Sequence, residues 1–194
     1  MMLDRMEGNA ELKTSVQQML ATRRLTHSVL LVGEAGLGTG FAARCIAADY
    51  LYPAGGAAAE ALLRGECCRA VAKAGKRDSG TVETGIVREA ISVSGMGSGG
   101  KYLVGQVTAM RSEIFNTSLS AEGRAVLLYH VERMNEESAN ALLKVSSYRT
   151  CCWTCSDHSR CRFCSNLVFF HYRCTCQSDL LLWCWIYQEK VKNR

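Results

Sequence analysis

The apolar residues of this chain follow two patterns, short continuous runs and longer stretches with helical spacing. The continuous runs are residues 28–32 (SVLLV) and 124–131 (RAVLLYHV). Apolar runs of this length, bounded by glycine or polar residues, are typical of strands that are buried on both faces. We therefore predict two interior strands at these positions.

Segments with helical spacing lie before, between and after the two predicted strands. The segments with apolar residues every three or four positions are residues 8–24, 41–52 and 102–115. Asn135 is a favourable N-cap residue and predicts the start of a further helix. The alanine-rich residues 57–80 are predicted as helix, and the glycine-rich residues 92–100 as a loop. Strands that alternate with helices predict an α/β fold with a parallel sheet.

Composition divides the chain into two parts. The 194 residues carry a formal net charge of +5 and include 11 cysteines and one proline. Residues 1–145 have a net charge of only +1, whereas residues 146–194 have a net charge of +4, eight of the cysteines and all three tryptophans. We therefore predict one domain over residues 1–145 and a separate cysteine-rich tail. The overall positive charge is no indication of nucleic-acid binding by the first part.

Neither end of the chain has the pattern of a targeting or membrane segment. Residues 1–7 contain three charged side chains and no apolar stretch, which argues against a signal peptide. The longest apolar run, Leu180 to Tyr187, is far shorter than the roughly 20 residues of a spanning helix. We expect a cytoplasmic protein, in which cysteine thiols stay reduced.

A glycine-rich segment, residues 33–40 (GEAGLGTG), connects the first predicted strand to a helix. This is the context of the phosphate-binding loop G-x-x-x-x-G-K-[ST], whose amide groups surround an anion. Its candidate nucleotide-binding residues here are Gly33, Gly36, Gly38 and Thr39. Thr39 stands at the lysine position, and Gly40 stands at the position of the hydroxyl that binds Mg²⁺. The loop is therefore degenerate.

The second predicted strand departs from the nucleotide-hydrolysing pattern as well. It should end in the acidic residues that hold Mg²⁺, but Tyr129 and His130 occupy these positions. The two departures favour a phosphate-loop fold without ATP hydrolysis, with no catalytic residue and no resident ATP. The alternative from the residues alone is a glycine turn that never bound nucleotide.

Residues 8–145 resemble the delta-prime subunits of the bacterial DNA polymerase III clamp loader, a family related to the AAA+ ATPases. The segments that carry the resemblance are Gly8-Asn9 with Leu12-Lys13, and residues 24–38, 105–111 and 124–144. The last of these is the most specific, because an acidic-basic-Met step (Glu132 to Met134) leads into a helix that ends in NALLK (140–144).

The resemblance implies an AAA+ P-loop NTPase-like fold and a role in DNA replication. It implies a non-hydrolysing subunit in a five-membered ring, within a complex that serves a DNA-directed DNA polymerase. The partners would be the other clamp-loader subunits, with the sliding clamp and DNA contacted through the assembly. The lid and collar domains that complete such subunits are expected to be absent here. An active P-loop ATPase of the clamp-loader class is the alternative function.

The same family carries a four-cysteine zinc module after the first helix of its AAA+ domain. This region of the chain offers Cys67 and Cys68, with Cys45 upstream, as metal-ligand candidates. A structural zinc ion needs four ligands, and adjacent cysteines rarely serve one tetrahedral site. We expect two buried thiols here and no intact zinc module.

The family pattern stops at Val145, inside a helix. The family continues from Leu-Leu-Lys into Leu-Glu-Glu-Pro-Pro, whereas this chain continues with residues 145–149 (VSSYR). The interpretation that we favour is a tail translated out of frame, which would be poorly folded and would leave out the final strands of the sheet. The alternative is a zinc module in the tail. Its ligand candidates are Cys152, Cys155, His158, Cys161, Cys164, His171, Cys174 and Cys176.

Overall fold

The structure is a computed structural model that describes residues 1–22, 25, 29–34, 36–73, 79–115, 123–143, 151–155 and 168–171. The α-helices of this part are α1 (Ala10–Ala21), α2 (Thr39–Leu51), α3 (Ala57–Leu63), α4 (Val104–Phe115) and α5 (Glu136–Leu143). The strands are β1 (Val29–Val32), β2 (Cys67–Ala72), β3 (Gly80–Glu83), β4 (Val87–Ser94), β5 (Ala125–Tyr129), β6 (Cys151–Cys155) and β7 (Val168–His171). Short 3₁₀ helices occupy Met2–Arg5, Ser98–Gly100 and Val131–Arg133.

The strands form one sheet in the order β3-β2-β4-β5-β6-β1-β7. Within the described part of the chain, five of its pairings are parallel and only β2 and β3 run antiparallel. This confirms the predicted α/β fold with a mainly parallel sheet. Because the strands run in one direction, the loops that follow β1 and β5 leave the sheet at the same edge.

Helices cover both faces of the sheet. The layer with α2 and the N-terminal helices is called the first layer, and the layer with α4 and α5 the second. Successive side chains of the central strands point alternately into the two layers. In β1, Val29 and Leu31 pack against α2 and the N-terminal helices, whereas Leu30 and Val32 pack on the side of α4 and α5. In β5, Leu127 faces the first layer and Leu128 the second. Burial on both faces explains why these two segments are continuous apolar runs.

Most predicted elements are confirmed. The strands predicted at 28–32 and 124–131 are β1 and β5, and the helical stretches 8–24, 41–52 and 102–115 contain α1, α2 and α4. The N-cap prediction also holds: the backbone N–H of Ser138 donates to Asn135 Oδ1 at 2.8 Å, and the N–H of Ala139 donates to the Asn135 carbonyl at 3.0 Å.

Two predictions are wrong. The helix predicted over 57–80 ends at Leu63, and after a left-handed Gly65 (φ +83°) the chain enters β2 and later β3. β2 lies between two other strands, and this pairing outweighs the helix propensity of its alanines. The loop predicted over 92–100 begins only at Gly95, because residues up to Ser94 belong to β4.

Two segments of the tail belong to the sheet. β6 pairs with both β5 and β1, and β7 pairs with the other side of β1. This corrects the expectation that the final strands of the sheet are missing. All four residues of β1 are buried, and its backbone N–H and C=O groups need such partners away from water. Residues 146–150, 156–167 and 172–194 lie outside the described residues, so the expected poor folding of the tail stays a prediction.

A buried carboxylate attaches the N-terminus to α2. The backbone N–H groups of Met2 and Leu3 donate to the two oxygens of Asp49, at 2.7 and 2.9 Å. Asp49 is only 4% exposed, and a buried charge of this kind is stable only when its oxygens are hydrogen-bonded. Nearby, Arg5 and Glu60 form a paired contact on the surface. The first six residues thereby close one end of the first layer.

A buried amide holds the loop after β4. Gln106 in α4 is fully buried, and its Nε2 donates to the carbonyls of Ala70 (3.1 Å) and Ser94 (2.8 Å). Its Oε1 accepts from the backbone N–H groups of Met96 (3.3 Å) and Leu103 (3.2 Å). One side chain therefore joins the carboxyl ends of β2 and β4 to the start of α4.

No helix in the described part of the chain is long and apolar enough to cross a membrane.

We expect Gln106→Leu to lower the free energy of unfolding by about 2–4 kcal/mol, because leucine leaves several buried backbone groups without partners. Urea denaturation of the purified chain measures this loss. The matched control is Gln18→Leu on the exposed face of α1, which should change stability by less than about 0.5 kcal/mol. Equal effects of the two substitutions would contradict the assigned role of Gln106.

Candidate nucleotide site

The glycine-rich segment forms a turn that opens directly into α2. Gly33 follows β1, and the N–H of Leu37 donates to the Glu34 carbonyl at 3.2 Å. Gly36 (φ +91°) and Gly38 (φ +89°) both have left-handed backbone conformations, which glycine adopts without steric cost. Gly38 is the N-cap residue of α2, and its carbonyl accepts from the N–H of Ala42 at 2.9 Å. Three of the predicted residues, Gly33, Gly36 and Gly38, thus shape one turn.

The positions that carry the chemistry of such a loop hold residues that cannot perform it. Thr39 is the first residue of α2 and is half-buried, and it supplies no cation for a phosphate. Gly40 follows in the first turn and supplies no hydroxyl for Mg²⁺. What remains is the positive end of the α2 dipole and the backbone of the turn.

The structure brings the second predicted motif against the first. Tyr129 ends β5, and its ring packs over Gly40: a Cβ added to Gly40 would lie 3.3 Å from Tyr129 Cε1 and 3.6 Å from Cδ1. Arg44 Nη1 would lie 3.8 Å from the same point, and Arg44 Nε donates to the Leu63 carbonyl at 2.8 Å. The two degenerate motifs are therefore in direct contact.

His130 lies in a turn beside the charged side chains of Glu132 and Arg133. It has a left-handed backbone (φ +57°), and its Nδ1 lies 3.2 Å from Glu132 Oε1. The Glu132 side chain is 6% exposed, and Arg133 Nε lies 3.9 Å from the same oxygen. The nearest acidic group in this turn is therefore engaged with the basic residues on either side of it.

A tyrosine that the sequence analysis did not single out anchors the end of β5. The hydroxyl of Tyr102 lies within hydrogen-bonding distance of the Val93 carbonyl (3.1 Å) and of the Tyr129 carbonyl. Burial, and secondarily the charge of Glu132, raises the pKa of the Tyr102 hydroxyl, so it stays protonated and can donate. Its only sequence signal is a large aromatic residue that precedes an amphipathic helix.

The two adjacent cysteines cannot form one metal site. Cys67 packs in the first layer and Cys68 in the second, because successive residues of a strand face opposite sides of the sheet. Cys68 Sγ accepts from the Gly85 N–H at 3.2 Å, and burial raises the pKa of the Cys67 thiol. Burial likewise raises the pKa of Cys45 to about 12. Cys67 and Cys68, the metal-ligand candidates, therefore lie as thiols on opposite faces of the sheet and do not point toward a common ion.

Among the residues that the structure describes, no group of three or more histidine, cysteine, aspartate or glutamate side chains could hold a metal ion. Of the tail candidates, Cys152 and Cys155 lie in β6 and His171 ends β7. The others lie outside the described residues: His158, Cys161, Cys164, Cys174 and Cys176. A zinc module in the tail therefore stays an untested alternative.

A magnesium-bound nucleotide does not fit the residues of this turn. Mg²⁺ requires a nearly ideal octahedron of oxygen ligands at 2.0–2.1 Å. Here an aromatic ring packs at the position of the hydroxyl ligand, and neither Tyr129 nor His130 offers a carboxylate. The turn has the glycine spacing of a phosphate-binding loop but lacks the groups that bind metal and the outer phosphates.

Comparison with known proteins identifies one family. The family profile described as "DNA polymerase III, delta subunit" matches residues 8–146. Its last matched residue lies one position after the predicted break at Val145. No curated protein matches the chain.

One solved structure with similarity to the chain is a DNA polymerase III gamma subunit-related protein from Thermotoga maritima. The two are 10% identical with a TM-score of 0.49, over 82% of this chain and 46% of the other. The chain thus spans less than half the length of that protein.

We expect the chain to lose stability as the pH rises above about 10, where a tyrosine in the unfolded state ionises. Burial raises the pKa of Tyr102 in the folded state. The stability that this residue contributes is therefore complete below about pH 10 and is lost as the pH rises toward the pKa of Tyr102 in the folded protein. Tyr102→Phe should lower stability by about 1–2 kcal/mol at pH 7 and should weaken the dependence on pH above 10. Urea denaturation at a series of pH values measures both effects.

The control for this experiment is Tyr50→Phe, at a half-buried tyrosine of α2. This substitution should change stability by less than about 0.5 kcal/mol at pH 7. An alkaline stability profile that is identical in Tyr102→Phe and in the unsubstituted chain would contradict the role of Tyr102.

Proposed function

Because the chain belongs to the DNA polymerase III delta subunit family, we propose that it acts as a delta-prime-like subunit of a clamp loader and hydrolyses no ATP itself. The observation that carries this proposal is the contact between Gly40 and the ring of Tyr129. It joins the two positions at which an active member would hold Mg²⁺, and neither residue can do so.

The contribution of such a subunit is structural. A phosphate loop without its lysine and hydroxyl cannot neutralise the charge that develops during phosphoryl transfer. The chain would therefore present a fixed surface to neighbouring subunits while they bind and hydrolyse ATP. Its proposed partners are the other clamp-loader subunits, and through them the sliding clamp and primed DNA. We place this assembly in the cytoplasm.

The region after Val145 is part of the proposal. We propose that it departs from the family because it is translated out of frame, which agrees with the end of the family match at residue 146. Strand pairing by β6 and β7 uses backbone groups, which any sequence offers. We expect another reading frame of the gene to encode Leu-Glu-Glu-Pro-Pro after Lys144. Gene sequencing checks this, and the idea fails if no frame encodes that segment.

We expect the purified chain to co-elute with partner clamp-loader subunits in size-exclusion chromatography and to show no Mg²⁺-dependent ATP turnover alone. In the assembled complex, Thr39→Ala in this chain should leave the ATPase rate unchanged within about twofold, because Thr39 contributes no phosphate-binding charge. The matched control replaces the phosphate-loop lysine of an ATP-binding partner subunit, which should abolish turnover at that site.

Two results would contradict the proposal. Metal-dependent ATP hydrolysis by the isolated chain would favour the alternative of an active P-loop ATPase. Elution of the folded chain separately from every partner subunit would exclude a place in the complex.

A further inference from the structure

We propose that Tyr129 and Gly40 form an interlocked pair that closes the metal position of the glycine-rich turn and excludes a divalent cation with its nucleotide. The inference deepens the proposed function and rests on it for its biological meaning. With the ring of Tyr129 in place, restoring the lysine and the hydroxyl of the loop would not by itself restore the metal site.

The ring of Tyr129 leaves little space for a side chain at residue 40. A Cβ at this position would lie 3.3 Å from Tyr129 Cε1, which is tighter than ordinary van der Waals contact. A serine or threonine, the residue that an active loop needs here, would add an oxygen beyond that Cβ. A side chain at residue 40 would therefore require the ring of Tyr129 to shift by a few tenths of an ångström.

The ring of Tyr129 has limited freedom to move. Tyr129 is paired with Ser94 in the parallel ladder between β4 and β5, and the hydroxyl of Tyr102 contacts its carbonyl. The ring is partly buried and packs against the first layer of the core. Movement away from Gly40 would give up this packing, so the ring is held at both its backbone and its side chain.

Arg44 limits the space at residue 40 on the side away from Tyr129. Arg44 lies one turn after Gly40 in α2, and its Nη1 would be 3.8 Å from a Cβ at that position. Its Nε donates to the Leu63 carbonyl at 2.8 Å. A side chain at residue 40 would therefore meet Tyr129 on one side and an anchored guanidinium on the other.

The packing is tested by measuring how Gly40→Ala changes the stability of the chain, with and without the ring of Tyr129. In a helix without the ring, Gly40→Ala should raise the folding equilibrium constant by about twofold to fivefold, since alanine is the better helix former. With Tyr129 in place, the same substitution should give no gain or a loss. Urea denaturation of the full chain measures Gly40→Ala in the unsubstituted background and in Tyr129→Val, which keeps a strand-forming residue.

The matched control background is Tyr52→Val, because Tyr52 lies at the other end of α2 and bonds Glu89 at 2.9 Å. In this background Gly40→Ala should behave as in the unsubstituted chain. Equal gains from Gly40→Ala with and without the Tyr129 ring would overturn the interlock. This test uses the isolated chain, so it is decided separately from the assembly experiment.

The test of exclusion measures ATP binding by calorimetry, with Mg²⁺ and with EDTA. T39K/G40S should show no metal-dependent tightening, whereas T39K/G40S/Y129D should bind ATP about tenfold or more tightly with Mg²⁺. Metal-dependent binding by T39K/G40S would overturn the proposal, and so would its absence in a folded T39K/G40S/Y129D. If the triple variant does not fold, the two-background stability measurement decides the question.

Discussion

Burial of both faces of the central parallel strands is the constraint on which the rest of the structure depends. Each fully buried leucine or valine of β1 and β5 stabilises the fold by about 1.5–3 kcal/mol, and these strands place such residues in both layers. In a parallel sheet with both faces covered by helices, the loops lie at the two ends of the strands. The turn after β1 and the end of β5 are therefore held at one edge, with only β6 between the two strands.

A few buried polar groups convert this general arrangement into one defined edge. Gln106 joins the ends of β2 and β4 to α4, and Tyr102 holds the carbonyl at the end of β5. Asp49 plays the same part for the N-terminus. Each group has partners for its buried polar atoms, and satisfied groups of this kind specify a single packing. The hydroxyl of Tyr102 thereby holds the backbone from which the Tyr129 ring extends.

The sequence predicts the elements whose pattern is independent of distant partners. The apolar runs at 28–32 and 124–131 predict β1 and β5 from their local pattern alone, and the Asn135 cap is a local hydrogen-bond pattern. β2 could not be predicted in the same way, because its alanines favour helix and only pairing with β3 and β4 makes them extended. The opposite faces of Cys67 and Cys68 follow at once when β2 is known, but not before.

The candidate site, too, could be predicted from the sequence only in part. The glycine turn and its missing lysine are visible in the sequence, but the contact between residues 40 and 129 is a property of the folded sheet. In the sequence the two motifs are separate losses. In the structure the two positions are in contact, because a side chain at residue 40 would press on the aromatic ring at 129. Either replacement alone is unfavourable: the ring would press on a side chain, or a helix glycine would face an unfilled space. Together they are compatible, so the residue at one of these positions affects which residue is favourable at the other.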